Sequence, residues 1–111
     1  MKSKSQIKIE EKINELVECR GWEKYHVPSH LIMSLSAECA ELMQFCLWET
    51  PEKINSMFRN KDERLVKELA DIAINYYAIL RYCDIDVEEI VESKVNELME
   101  RYKELKKGEH R

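Results

Sequence analysis

The sequence predicts an all-α protein: a bundle of four main helices, with a short extra helix in the connection between the second and third, completed by oligomerisation. Only two glycines and two prolines occur in 111 residues, too few for the turns of a sandwich or barrel. Apolar residues recur at helical rather than strand spacing. The two middle helices are also apolar nearly all round. Between Val27 and Trp48 only Glu38 and Glu41 are charged, and "LADIAINYYAIL", Leu69 to Leu80, holds only Asp71. Such helices need cover on most sides. A chain this small must find that cover on another copy, as a homodimer or homotetramer.

The elements follow in order. Ile9, Ile13, Leu16 and Val17 form one stripe of a first helix from about Ser5 to Arg20, stopped by Gly21. The second opens at Pro28-Ser29, with proline suited to a first turn, and runs to about Glu49. Thr50-Pro51-Glu52 caps and restarts the chain as the short helix through Phe58. "RNKDE" is a polar connector, and the third helix runs from about Asp62 to Cys83. In "DIDVEE", Asp86 is an N-cap with Glu89 three residues on, a capping box. The fourth helix then reaches Lys106, with Val87, Ile90, Val91, Leu98, Tyr102 and Leu105 inward, and Gly108 closes it. No repeat or second domain interrupts residues 1–111, which read as one domain.

The hydrophobic share of 44% and charged share of 36% are those of a globular protein. A net charge of −4 speaks against nucleic-acid and anionic-membrane binding. No uninterrupted apolar run reaches the roughly 18 residues of a membrane span. Met1-Lys-Ser-Lys-Ser lacks the apolar core of a signal peptide, which predicts a cytoplasmic protein. Cys19, Cys39, Cys46 and Cys83 form no CxxC pair and read as buried, reduced thiols.

Glutamates three apart are common here: Glu15/Glu18, Glu49/Glu52, Glu89/Glu92 and Glu97/Glu100 all lie among basic neighbours on solvated faces. Glu38/Glu41 differs because "SAECAELMQF" has no base near it, and Glu68/Asp71 repeats the spacing on the other apolar helix. Residues three apart share a helix face, so two antiparallel helices can converge four carboxylates. Clustered carboxylates in a partly dry site need protons, basic partners or a metal. Salt bridges from the first or fourth helix are the alternative for any one acid. Two such pairs on the two most apolar helices favour a hard cation, magnesium first and manganese second. A di-iron site would want Glu-x-x-His on two helices. The one such spacing, Glu23/His26, falls just before Pro28 in a predicted loop.

"RGWEKYHVPSHLIMSLSAECAELMQFCLWET", Arg20 to Thr50, with "KELADIAINYYAIL", Lys67 to Leu80, resembles the MazG-like all-α nucleoside triphosphate pyrophosphohydrolases, nearest the dCTP pyrophosphatase type. The resemblance implies hydrolysis of a (deoxy)nucleoside triphosphate to the monophosphate and pyrophosphate, with magnesium held by Glu38, Glu41, Glu68 and Asp71. One of these four carboxylates, Glu38 or Glu41 first, is placed to orient or deprotonate the attacking water, and the resemblance implies that Trp22 and Trp48 line a base pocket and that Lys94, Arg101 and Tyr102 face the triphosphate. Asn75, where relatives have tyrosine, is placed to reach substrate. Two departures bear on substrate choice. Leu98 stands where the family has asparagine, with Asn96 a possible substitute, and Ile13 stands where dCTP-type relatives have histidine.

The expected function is a magnesium-dependent house-cleaning pyrophosphohydrolase, acting on deoxycytidine or modified nucleotides. The alternatives are a non-catalytic helical adaptor and another branch of the superfamily, a dUTP or phosphoribosyl-ATP hydrolase. The 50–58 helix and "RNKDE" are either a solvated connector or a lid carrying Lys53, Arg59 or Lys61 over the phosphates.

Overall fold

The computed structural model describes residues 1–105 and 108, and all regular structure among them is helical. Helix α1 spans Lys4–Arg20, α2 Pro28–Trp48, α3 Pro51–Arg59, α4 Glu63–Cys83 and α5 Val87–Arg101, with a 3-10 turn over Glu23–Tyr25.

Local chemistry sets the boundaries. Ser3, Thr50, Asp62 and Asp86 accept hydrogen bonds from the backbone N–H groups of Gln6, Lys53, Arg64 and Glu89, satisfying donors that a helix start leaves open. Gly21 ends α1 at φ +65°, and Trp22 N–H donates back to the Val17 carbonyl at 3.0 Å. That double return needs a left-handed residue, which glycine supplies without steric cost. Asp84 holds the same conformation after α4, at φ +55°.

Helix α5 is shorter than its periodicity predicts. It ends at Arg101, and 102–105 are turn and bend; the expected Lys106 terminus lies outside the described residues. The cysteines differ as well: all four are exposed in the protomer, because they lie on faces this chain does not itself cover.

Helices α2 and α4 pack as an antiparallel hairpin whose register can be followed residue by residue. Leu31 and Ala78 share the core, Ser34 and Asn75 line one cavity, Glu41 and Glu68 share a cluster, and the Arg64 guanidinium stacks over the Phe45 ring at 5.4 Å. The residue numbers in each pair add to 109, so Glu38 falls opposite Asp71. Helix α1 crosses at the Leu31/Ala78 level, where Ile13 and Val17 complete the core and Tyr77 and Ile79 pack against it.

The α1 stripe is only half right. Ile13 and Val17 are buried, but Ile9 and Leu16 stay exposed, and the polar Gln6 and Glu10 are buried instead. Gln6 is a clamp. Its Nε2 donates to the Ile85 carbonyl at 2.7 Å and to Glu10 Oε2 at 2.6 Å, and its Oε1 accepts from Val87 N–H at 2.9 Å. Lys2 Nζ closes on Glu10 Oε1 at 2.8 Å. This network fixes the α4–α5 turn against α1.

The protomer leaves much apolar surface uncovered. Its radius of gyration is 17.1 Å, against about 13 Å for a compact chain of this length. Ile32, Met33, Met43 and Leu47 on α2, and Val91, Val95 and Met99 on α5, are each about half exposed or more. Helix α2, with a mean hydropathy of 1.2, is also long and apolar enough to cross a membrane by length and composition. Counting uninterrupted apolar residues misses this because Glu38 and Glu41 break the run. Those two carboxylates face α4, and acids at mid-membrane depth cost about 3 kcal/mol each, so α2 is a helix of the bundle.

Candidate metal and nucleotide site

The α2/α4 hairpin converges Glu38, Glu41 and Glu68, each offering a carboxylate oxygen within 4.8 Å of the others. Helical spacing puts Glu38 and Glu41 on one face of α2, and the antiparallel register delivers Glu68 opposite Glu41, within reach of both. Glu38 Oε2 and Glu68 Oε2 are buried and have no hydrogen-bond partner. Buried polar atoms are nearly always satisfied, so two orphan oxygens in one acidic cluster are what a cation would satisfy. The donors are all hard oxygens, which suits magnesium or manganese.

Electrostatics agree with the geometry. The Glu68 carboxyl is raised from 4.5 to about 7, first by removal from water and then by its contacts with Glu38 and Glu41. No basic side chain forms an ion pair with any of the three among the described residues. Asp71 lies outside the triangle and is exposed, although the register sets it opposite Glu38.

One helical turn away is a cavity of about 310 Å³ lined by Trp22, Tyr25, His26, His30, Ser34 and Asn75, among others. Asn75 Nδ2 donates to the Asp71 carbonyl at 3.1 Å, which links the cavity wall to the carboxylate layer. Trp22 carries the Arg20 guanidinium over its ring at 5.8 Å, and Tyr25 meets His30 edge-on at 5.9 Å. His26 is held below its usual range by burial and by the Arg81 charge. Tyr25, His30 and Ser34 were not foreseen as wall residues. For Tyr25 and His30 the signal lies in the "WEKYHVPSH" lead-in, which the 3-10 turn and Pro28 fold back over the start of α2; Ser34 follows one helical turn on.

The other predicted contacts fall elsewhere in the protomer. Trp48 sits at the opposite end of α2 from Trp22, 83% exposed, beside a cleft of about 220 Å³ shared with Glu41, Gln44, Phe45 and Glu49. The two tryptophans therefore do not wall one pocket within one chain: α2's 21 residues are about 30 Å long. Lys94 and Arg101 both pair with Glu97 on α5, at 3.1 and 2.5 Å, and Arg101 also stacks on Tyr102 at 5.7 Å. Leu98 is half-buried on the same helix, and Ile13 is core.

A family model described as "MazG-like family" matches residues 33–111. The chain belongs to the MazG-like family. It is 31% identical over 85 residues to dCTP pyrophosphatase 1 of Rattus norvegicus, covering 75% of this chain and 50% of that protein. Its identity to dCTP pyrophosphatase 1 of Homo sapiens is 32% over the same length. The chain thus spans about half the length of these curated relatives. In structure, this MazG-like chain is similar to a pyrophosphatase from Archaeoglobus fulgidus, with a TM-score of 0.78 and 28% identity over 92% of this chain and 95% of that one. The MazG-like match includes all of α4 and α5 and the two glutamates of α2.

Proposed function

We propose that this protein is a magnesium-dependent nucleoside triphosphate pyrophosphohydrolase, converting a (d)NTP and water to the (d)NMP and pyrophosphate. The carrying observation is the three-carboxylate cluster with its two buried, unpartnered oxygens. The relatives' names and the family agree with that chemistry.

Glu38, Glu41 and Glu68 would hold the ion, with Asp71 supplied by the register. A divalent ion there supplies positive charge to phosphate oxygens and acidifies bound water. The chain's own groups do the rest. Glu38 or Glu41 accepts a proton from the attacking water, the new P–O bond forms at the α-phosphorus, and the α–β bridging P–O bond breaks to release pyrophosphate. Trp22 offers a ring face for the base, and Asn75 joins that pocket to the carboxylates. A neutral His26 keeps further charge out of the pocket wall. The triphosphate reaches past Glu41 and Glu68 towards the Phe45/Arg64 end of the hairpin.

We further infer a cytoplasmic homo-oligomer, a dimer or tetramer, with dCTP-like or modified deoxynucleotides as the preferred class. The net charge of −4 supports neither a nucleic-acid nor a membrane partner. The test is pyrophosphate release across a panel of canonical and modified triphosphates, with magnesium or manganese. No release from any of them overturns the enzyme reading.

A further inference from the structure

We propose that helix α5 of one copy docks in the groove between α1 and α4 of a second copy, with Glu88 and Glu92 of α5 set against Lys8 and Lys12 of α1. This deepens the homo-oligomer reading and rests on it.

Both halves of the contact stand open in the protomer. The groove, of about 370 Å³, is lined by Ile9, Ile13 and Leu16 from α1 and by Ala70, Ala73 and Ile74 from α4. Ala70 and Ala73, flanked by Ile74 and Tyr77 on the α4 wall, leave room for a helix. Helix α5 carries the complementary ridge: Val87, Val91, Val95 and Leu98 recur at helical spacing, and Val91 and Val95 are 49% and 48% exposed. The chain's own α5 leaves its own groove open, because the Gln6 clamp holds Ile85 and Val87 and so sets the direction in which α5 departs.

Charge selects α5 as the occupant. Glu88 and Glu92 lie one turn apart on one flank of the ridge. Lys8 and Lys12 lie one turn apart on α1, and Lys12 itself lines the groove. None of the four forms an ion pair among the described residues. The exposed outer face of α2 has no such flanking charges, so nothing on it matches Lys8 and Lys12. The area is sufficient. The protomer exposes 8976 Å², about 2,500 Å² more than a compact monomer of this mass, and stable homodimers bury roughly 1,000–2,500 Å² per partner.

The docking has a consequence for the site. With Glu88 and Glu92 on the α1 side of the groove, the opposite flank of α5, which carries Lys94 and Arg101, lies along α4 of the second copy. Helix α4 bears Glu68 and Asp71, so each copy brings two cations to the helix that holds half of the other's acids.

The experiment is sedimentation of the full chain without nucleotide, with helical content checked by circular dichroism. The wild type is expected to associate at micromolar concentration. Val95→Asp and Ile74→Asp should each weaken association at least 100-fold. Lys12→Glu should weaken it about tenfold, and Lys12→Glu combined with Glu92→Lys should restore it. The double reversal decides the matter even where an apolar-to-acid variant fails to fold. A monomeric wild type overturns the homo-oligomer reading and this inference together. An associated wild type whose assembly ignores Lys12→Glu, or is not rescued by the second reversal, overturns the α5 contact alone and leaves the α2 face as the interface.

Discussion

Magnesium should displace a proton from this protein, in an amount set by Glu68. With its carboxyl raised to about 7, Glu68 in the metal-free protein carries about nine-tenths of a proton at pH 6, about half at pH 7 and about a tenth at pH 8. A cation needs the ionised carboxylate, so binding should release those fractions. Apparent magnesium affinity should fall about tenfold per pH unit below pH 7 and level off above pH 8. Titration calorimetry at each pH, in two buffers of different ionisation enthalpy, counts the protons. The same shift predicts metal-free stability, with its sign fixed by linkage. The folded value lies above the unfolded 4.5, so between about pH 4.5 and 7 the folded state keeps a proton that the unfolded chain has lost. Stability should therefore fall as pH rises through that window. Glu68→Gln should flatten both profiles. Magnesium binding that releases no proton at pH 6, with an affinity independent of pH, would refute the reading of a carboxyl held protonated by its acidic neighbours.

Further outcomes follow from the same geometry. Glu38→Ala and Asp71→Ala should each lower pyrophosphate release by at least about 100-fold with the helical circular dichroism unchanged. For Asp71, retained activity would limit the metal set to the three clustered glutamates. Trp22→Ala should raise KM about tenfold or more, the scale of one base–aromatic stack, while Trp48→Ala should show its effect through assembly or the Glu41 cleft. Gln6→Leu leaves the Ile85 carbonyl and the Val87 N–H without their partner and removes one of Glu10's two donors, Lys2 keeping the other. At about 1–3 kcal/mol per buried unsatisfied group, it should lower Tm by more than 10 °C in a thermal melt.

The helical architecture was legible because the local signals agree: capping residues, two-glycine economy and helical periodicity all mark the same boundaries. The cluster was legible for a different reason. Glu38 and Glu41 lack basic neighbours in sequence, and an acid on an apolar helix with no local partner must meet its compensation across the fold. What sequence could not supply was direction. Lys94 and Arg101 sit on, and Tyr102 just past the end of, a helix whose orientation is set by Gln6, through hydrogen bonds to residues 79 and 81 positions away. No local pattern announces a buried glutamine. The length of α5 was overestimated because its apolar spacing continues past Arg101, where the chain turns. The cysteines were misplaced because apolar surroundings in sequence were equated with burial inside one protomer.

That last error bears on how the site is built. Three carboxylates held together without a base destabilise the hairpin that holds them, and the protomer's few buried side chains give it little with which to offset the repulsion. On the proposed reading, the compensation comes from outside the protomer: a cation between the acids, and a second copy whose α5 covers the groove between α1 and α4. The same two helices that present the acids inward present the uncovered surface outward. Assembly and metal binding should therefore be coupled, each stabilising the hairpin register that the other requires. In that case magnesium strengthens association measured by sedimentation, and by reciprocity dilution to monomer weakens magnesium binding by the same factor. Glu68→Gln, which relieves repulsion without supplying a cation, should strengthen association in the absence of magnesium and remove its further response to the ion. Association constants that are identical with and without saturating magnesium would separate the two effects and confine the carboxylates to chemistry alone.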